Sequence, residues 1–276
     1  MSRRPGFLVY GLLAAFLLGS AFPLYWSFVI GSVTRHRAIQ SPPPLVPGGY
    51  FFENAARVFD RIDFWSALLN SIIISGISAA SVVLFSTLAG YSFAKLRFRG
   101  SNAGMIFVVA TLAVPTQLAL VPMLKQFSNL GLTGTHAAVI LPWVVTAFGV
   151  FFMRQYLVDA IPDELIDAAR VDGASMIRTF WTVAIPAARP AMAILGLFTF
   201  MQVWTDFMWP LIVLQGSDVQ TLQTALDALK VAPGQGHADM ALVQAGTILA
   251  TVPLLLLFIA TGRHLVSGIM QGAVKG

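Results

Sequence analysis

Apolar and polar residues alternate along this chain in long blocks, and six of the apolar blocks hold about 20 residues each, the length that crosses a bilayer as an α-helix. They lie near residues 7–30, 71–93, 103–124, 137–156, 190–214 and 242–262. The pattern predicts an all-α integral membrane protein with six transmembrane helices, in which residues 1–276 form a single transmembrane domain.

The first apolar block has two interpretations. Arg3 and Arg4 precede it and the small residues near Ala21 resemble a cleavage site, as in a secretory signal peptide. However, the apolar run continues to Ile30, which is long enough to span the bilayer. We therefore predict a retained first span.

Prolines interrupt the third and fourth blocks at Pro115 and Pro142. A proline inside a span kinks or breaks the helix, and broken helices often lie beside a substrate path. Simple packing kinks are an equal alternative for each of these prolines.

The longest polar interruption in the second half of the chain is residues 157–189. Pro162 suits the start of a helix, and Glu164 lies in the first turn, where a carboxylate favours the positive end of the helix dipole. Gly173 can end that helix in a left-handed conformation. A second helix is predicted over 174–184, with Pro186 and Pro190 marking the return to the membrane. The segment is either an ordinary amphipathic loop or a docking element for a partner.

Composition and charge exclude a soluble protein. The chain is 57% hydrophobic and 11% charged with a mean hydropathy of +0.78, whereas soluble domains hold about 25% charged residues. Of the 17 Lys and Arg residues, eleven lie on the side that holds both termini and loops 94–102 and 157–189, and six on the other. The positive-inside rule places that side in the cytoplasm. Because the basic residues sit at span ends, no nucleic-acid partner is predicted.

Recognisable catalytic and metal-binding patterns are missing from the sequence. The chain has no Cys, its four His residues do not pair at ligand spacing, and it contains no G-x-x-x-x-G-K-[ST], G-x-S-x-G or H-E-x-x-H. We predict no catalytic residue, metal site or bound cofactor. Energy for transport must then come from a partner or from ions.

The polar segment carries a specific spaced motif. Asp167-Ala168-Ala169 is followed after three residues by Gly173, and nine residues later come Val183, Ile185 and Pro186. This resembles the EAA loop of ABC-transporter permeases, with Asp167 where that family usually has Glu. The run from Ala168 to Ser175 resembles the version in carbohydrate importers of the maltose type.

The resemblance implies the type I ABC importer permease fold with a cytoplasmic coupling helix over 163–173, which a dimer of P-loop ATPases would grip. The C-terminal tail also resembles that of the family, where it contacts the ATPase dimer, which implies such contacts for Gly272 and Lys275. The implied ATPase-coupling residues are Glu164, Asp167, Ala168, Ala169, Asp172, Gly173, Ala174 and Pro186.

The same resemblance implies an assembly in the bacterial inner membrane. ATP and Mg would bind the partner ATPases and not this chain. A second homologous permease, an extracytoplasmic solute-binding protein and membrane lipid would be the other partners. The cargo would be a sugar, an oligosaccharide or a sugar-like solute.

The fifth apolar block contains one carboxylate, Asp206, the only acid placed inside a predicted span. An intramembrane carboxylate is costly and therefore suggests function. The run from Trp204 to Pro210 resembles the family's W-N-D-F-x-W-P, with Thr205 in place of Asn. Asp206 either lines the translocation pathway with Gln202 and Trp204 or fixes helix geometry against a partner subunit.

Two classes of function therefore compete. The first is a permease subunit of an ATP-driven importer, and the second is an ion-coupled secondary transporter that uses Asp206. Ion coupling usually leaves several ionisable groups inside the spans, and only Asp206 qualifies here. We therefore expect the ATP-driven importer.

Overall fold

The computed structural model describes residues 6–230 and 238–273. Within these ranges the chain consists of helices and loops. The α-helices are α1 (Phe7–Gly31), α2 (Arg35–Ala38), α3 (Phe51–Arg61), α4 (Phe64–Lys95), α5 (Ser101–Thr111), α6 (Leu120–Asn129), α7 (His136–Ile140), α8 (Ala147–Ala160), α9 (Asp163–Val171), α10 (Met176–Thr179), α11 (Ile185–Thr205), α12 (Met208–Val213), α13 (Leu222–Asp227) and α14 (Met240–Ala273). Single 3-10 turns cover Thr116–Ala119, Leu141–Trp143 and Ala228–Lys230, and a π-helical turn covers Phe180–Ala184.

Helices long and apolar enough to cross a membrane account for the predicted spans. Five single stretches qualify, and a sixth is formed by a bent pair of helices. This confirms the predicted all-α membrane architecture. The single stretches are Phe7–Gly31, Phe64–Lys95, His136–Ala160, Met176–Thr205 and Met240–Thr261. His136–Ala160 is interrupted between α7 and α8 by the 3-10 turn that contains Pro142 and by residues 144–146.

The third predicted span is broken rather than kinked. Ser101–Thr111 and Thr116–Asn129 meet at an angle of 89°. Pro115 lies in the break with extended backbone angles, φ −61° and ψ 123°. A proline has no N–H for the preceding turn and disfavours helical geometry in the residue before it, so the helix ends ahead of Pro115.

The helical stretch that contains most of the fifth predicted span, 190–214, has different bounds from that span. The helical stretch begins at Met176, passes through Pro186 and Pro190, and ends at Thr205. The π-helical turn Phe180–Ala184 precedes Pro186, which occupies the start of α11, where a missing N–H costs least. Asp206 and Phe207 then separate α11 from the short helix α12.

The described residues fall into two compact units. The first draws on Met1–Ser66 and Leu222–Leu256. Asn54, which is 2% exposed, donates to the carbonyls that close α1, at Gly31 and Val33, over 2.9 Å each. Arg57 forms a 2.6 Å ion pair with Asp239, whose other oxygen accepts the backbone N–H of Leu242 at the start of α14. These buried contacts join α1, α3 and α14 in one polar network.

The second unit draws on Ala67–Thr221 and Leu257–Gly276. Its main apolar cluster includes Tyr91, Met153, Leu157, Phe180 and Leu195, from α4, α8, the π-helical turn and α11. A Cβ atom on Gly90 would lie 2.7 Å from the backbone nitrogen of Arg154, so α4 and α8 touch backbone to backbone. Small residues permit this close approach of transmembrane helices.

A second apolar cluster of this unit surrounds Trp209. Its indole Nε1 donates to the carbonyl of Ala138 over 2.9 Å, and its ring packs edge-on against Phe127. Asn70 donates to the carbonyl of Gln220 and contacts His136 Nε2 at 2.8 Å. The indole hydrogen bond joins α12 to α7, and the ring contact with Phe127 places Trp209 beside the broken third span.

Candidate functional site

The helical hairpin of α9 and α10 is the first candidate site. Its bend follows a complete helix-ending motif. The N–H of Ala174 donates to the carbonyl of Ala169 over 2.9 Å, and that of Gly173 donates to Arg170 over 3.0 Å. Gly173 has φ +73°, which confirms the predicted left-handed turn at this position. The chain therefore reverses sharply after α9 without leaving helical carbonyls unpaired.

One side of the hairpin packs against the protein, and the other side is exposed. Ile161 and Ile166 are buried in the main apolar cluster. The outward side carries large apolar side chains that are mostly exposed: Leu165 at 52%, Val171 at 88%, Met176 at 68%, Ile177 at 73% and Trp181 at 55%. Several exposed large apolar side chains on one short hairpin are typical of an interaction site.

The predicted coupling residues mostly lie on this outward side. Ala169 and Ala174 are partly buried, and Pro186 lies exposed on α11, beyond the hairpin. Asp167 and Arg170 form an exposed ion pair at 3.0 Å. The exposed members on the hairpin are Glu164, Asp167, Ala168, Asp172 and Gly173.

Lys95 ties the hairpin to the end of α4, a contact that the sequence did not reveal. Its ammonium lies 2.7 Å from a carboxylate oxygen of Asp163 and 3.3 Å from the carbonyl of Val158. The Lys95 side chain is 5% exposed. The hydrogen bond from Lys95 holds the pKa of Asp163 below its ordinary value of 3.8. The first residue of α9 is thereby held against a membrane-spanning helix.

The second candidate site is a cavity of about 540 Å³ at the break of the third span. Two aromatic rings, Trp143 and Trp209, contribute to its wall. Its polar lining comes from Thr116, Gln117, Thr146, Gln202, Thr205 and Asp206. A mostly apolar cavity with a few convergent polar groups is the common form of a small-molecule site.

Asp206 lies at the end of α11 and also supports α12. Its carboxylate accepts hydrogen bonds from the backbone N–H groups of Trp209 and Met208. The remaining capacity of the carboxylate faces the cavity that Asp206 lines. Asp206 thus supports α12 of its own chain and also lines the cavity, whereas the predicted role against a partner subunit stays a prediction.

The structure brings Gln202 and Asp206 together but places Trp204 elsewhere. Gln202 and Asp206 both line the cavity, whereas Trp204 is 2% exposed and stacks on Phe200 with ring centroids 5.7 Å apart. Gln117, which the sequence analysis missed, also lines this cavity. Pro115, two residues earlier, was the available signal, because it breaks the helix and turns this side chain toward the cavity.

The two residues predicted to form tail contacts lie at or beyond the end of the last helix. Gly272 lies near the end of α14, and Lys275 lies outside the described residues. Across residues 6–230 and 238–273, no group of three His, Asp or Glu residues could hold a metal ion.

This chain is similar to known membrane components of transport systems. Residues 83–270 match the family described as "Binding-protein-dependent transport system inner membrane component". The chain is 34% identical to the lactose transport system permease protein LacG of Rhizobium radiobacter, over 99% of this chain and 97% of that protein. It is 35% identical to the arabinooligosaccharides transport system permease protein AraQ of Halalkalibacterium halodurans, over 77% and 75%.

A solved structure shares the fold. It is the crystal structure of a bacterial ABC transporter involved in the import of the acidic polysaccharide alginate. One of its chains aligns with a TM-score of 0.79 at 22% identity, covering 93% of this chain and 94% of that one.

Proposed function

Because this chain belongs to the family of binding-protein-dependent transport system inner membrane components, we infer that it is a permease subunit of a carbohydrate ABC importer. It is a transport subunit and not a catalyst. Relatives named for lactose, arabinooligosaccharides and melibiose support a sugar or oligosaccharide as the cargo. Family membership favours this ATP-driven importer over the ion-coupled transporter that would use Asp206.

The α9–α10 hairpin is the proposed docking site for a dimer of P-loop ATPases, which would bind ATP and Mg. The observation that carries this proposal is the exposed apolar side of the hairpin, since such side chains are stabilised by a partner that removes them from water. Lys95 and the buried Ile161 and Ile166 would transmit the position of the docked hairpin to the spans. The residues assigned to this role are Glu164, Asp167, Ala168, Ala169, Asp172, Gly173, Ala174 and Pro186.

The remaining partners follow from the family. A second homologous permease would complete the pathway, and an extracytoplasmic solute-binding protein would deliver the cargo. Both termini would lie in the cytoplasm of a bacterial cell, with the chain spanning the inner membrane several times. Gly272 and Lys275 of the tail would then be on the side of the ATPases.

The cavity beside Asp206 is the proposed sugar-facing part of this subunit. The Asp206 carboxylate can accept hydrogen bonds from hydroxyl groups, the amide of Gln202 can both accept and donate them, and the ring of Trp143 offers an apolar face. Gln117 also lines this cavity. Trp204, being buried, is assigned to helix packing instead.

Single cysteines can test the docking proposal cleanly, because the chain has no native Cys. Ala168→Cys places a thiol on the exposed hairpin, and Thr133→Cys places one on the exposed turn between α6 and α7. We expect Ala168→Cys to crosslink to the co-purified ATPase, with a yield that changes when ATP is added. Thr133→Cys should give no such product, and in intact cells only Thr133→Cys should react with an impermeant thiol reagent.

The contrary results are equally specific. An Ala168→Cys chain that purifies with an ATPase but never crosslinks to it would move the docking site away from the hairpin. Labelling of Ala168→Cys from outside intact cells would reverse the proposed orientation.

A further inference from the structure

A groove between α5 and α8 has the form of a lipid site. It encloses about 450 Å³ and is lined by Asn102, Met105, Ile106, Val109, Phe151 and Arg154. Its polar part consists of Asn102, in the first turn of α5, and Arg154, in the middle of α8. Ile106 and Val109 follow along α5 and are 70% and 42% exposed. One part can therefore receive a polar group and the rest an apolar chain.

Arg154 has unused hydrogen-bonding capacity in the polar part of the groove. Its Nη1 donates to the side-chain oxygen of Gln155. Its side chain is only partly buried and lines the groove. A partly buried guanidinium charge without a carboxylate partner among the described residues favours an anionic acceptor in the groove.

Two further arginines adjoin the polar part of the groove. Arg97 and Arg99 are exposed in the loop between α4 and α5, and they line a shallow neighbouring cavity that shares Asn102 with the groove. Neither one forms a salt bridge with a carboxylate of the described residues. Arg97 and Arg99 thus add positive charge close to Asn102, and arginine binds phosphate through paired N–H donors.

We propose that this groove binds an anionic phospholipid, with its phosphate held by Arg154, Arg97 and Arg99 and one acyl chain lying along Ile106 and Val109. Basic pockets between transmembrane helices on the cytoplasmic side of a membrane bind anionic headgroups in this way. A helix of a partner permease would instead need carboxylates at the level of the arginines. In the orientation proposed above, the lipid belongs to the cytoplasmic leaflet.

Native mass spectrometry of the purified full chain, with its partner subunits, can test the site. The probes are phosphatidylglycerol and phosphatidylcholine with the same acyl chains, titrated into delipidated protein in detergent. We expect preferential binding of phosphatidylglycerol. Arg154→Gln should weaken it about fivefold, the usual effect of one basic residue at an anionic membrane surface. Lys125→Gln, which removes an exposed charge from α6, should leave it unchanged.

A second variant protects the test against a folding defect in Arg154→Gln. Arg97→Gln combined with Arg99→Gln alters only exposed loop positions and should weaken phosphatidylglycerol binding without lowering the thermal stability. Millimolar inorganic phosphate should not displace the lipid, because the acyl chain contributes to binding.

Three outcomes would overturn the lipid site. Equal binding of the two lipids is one, and unchanged phosphatidylglycerol binding in both arginine variants is another. The third is a crosslink from Ile106→Cys to a second permease, which would assign the groove to a subunit interface. Because the ATPase co-purifies or not regardless of these results, failure here is distinguishable from failure of the proposed function.

Discussion

Replacing Gly173 by alanine should loosen the end of α9 while the rest of the fold stays intact. Gly173 has φ +73°, and no heavy atom lies within 4 Å of the position that a Cβ atom would take. The added methyl group therefore meets no neighbour, and its whole cost is the backbone strain of a left-handed residue. That strain is about 1 kcal/mol, which raises the population of the opened bend about fivefold.

Hydrogen exchange reports this opening directly. The amides of Gly173 and Ala174 donate the two hydrogen bonds that close α9. In Gly173→Ala these amides should exchange about fivefold faster. Gly173→Asn should lie much closer to the wild type, because asparagine tolerates the left-handed conformation better than alanine.

Gly131 supplies a matched control. It ends α6 with the same two hydrogen bonds, from Gly131 to Ser128 and from Leu132 to Phe127, each 3.0 Å. Its φ is +67° and the space around a Cβ atom is also empty. Gly131→Ala should loosen its own turn equally but leave transport-coupled ATP hydrolysis unchanged, whereas Gly173→Ala should lower it. Unaltered exchange and unaltered hydrolysis in Gly173→Ala would refute the reasoning.

Three other perturbations test separate features. Gly90→Ala should destabilise the protein by about 1–3 kcal/mol in thermal or denaturant unfolding, because the added Cβ would lie 2.7 Å from a backbone nitrogen of α8. Gly76→Ala is the control: the space around Gly76 is open, so this change should not destabilise the protein. Since Lys95 lowers the pKa of Asp163, their contact is complete above the ordinary pKa of 3.8 and is lost as the pH falls through the lowered value. Exchange protection at the start of α9 should therefore hold from neutral pH down to about pH 4 and be reduced at all pH values in Asp163→Asn. Asp206→Asn should raise the transport KM about tenfold or more at unchanged stability, because the amide oxygen can still accept the α12 N–H bonds but the charge is gone. Equal KM values in the variant and the wild type would leave Asp206 with a structural role alone.

Local chemistry determined what the sequence could predict. Gly173 could be placed because a left-handed bend after a helix requires a residue without a Cβ atom, and the six spans could be counted because each needs a long apolar run. Pro115 was harder, since a kink and a break differ only in whether neighbouring groups satisfy the freed carbonyls. Pro186 and Pro190 do not end the helix. Pro186 lies at the start of α11, where a missing N–H costs least, directly after a π-helical turn that the sequence does not display, and Pro190 lies inside the helix.

Local sequence patterns could not predict contacts between residues that are far apart in the chain. Lys95 and Asp163 are 68 positions apart, and only the packing of α4 against α8 and α9 brings their charges together. The cavity likewise combines Gln117, Trp143 and Asp206 from three separate helical segments. Asp206 stood out in the sequence as an acid inside a predicted span, but Gln117 and Trp143 looked ordinary, since a lone glutamine or tryptophan near a span end has several common uses.

The unbroken helical stretch Met176–Thr205 has a mechanical consequence. Its 30 residues extend about 45 Å, with the α9–α10 hairpin at one end and Thr205, in the wall of the cavity, at the other. If the stretch moves as a rigid body, a tilt of about 5° about its hairpin end displaces Thr205 by about 4 Å. This displacement is comparable to the thickness of a sugar ring. The π-helical turn Phe180–Ala184 lies close to that hairpin end, and such turns are frequent at functional sites. A small angular input can thus become a displacement large enough to open or close a solute-sized space.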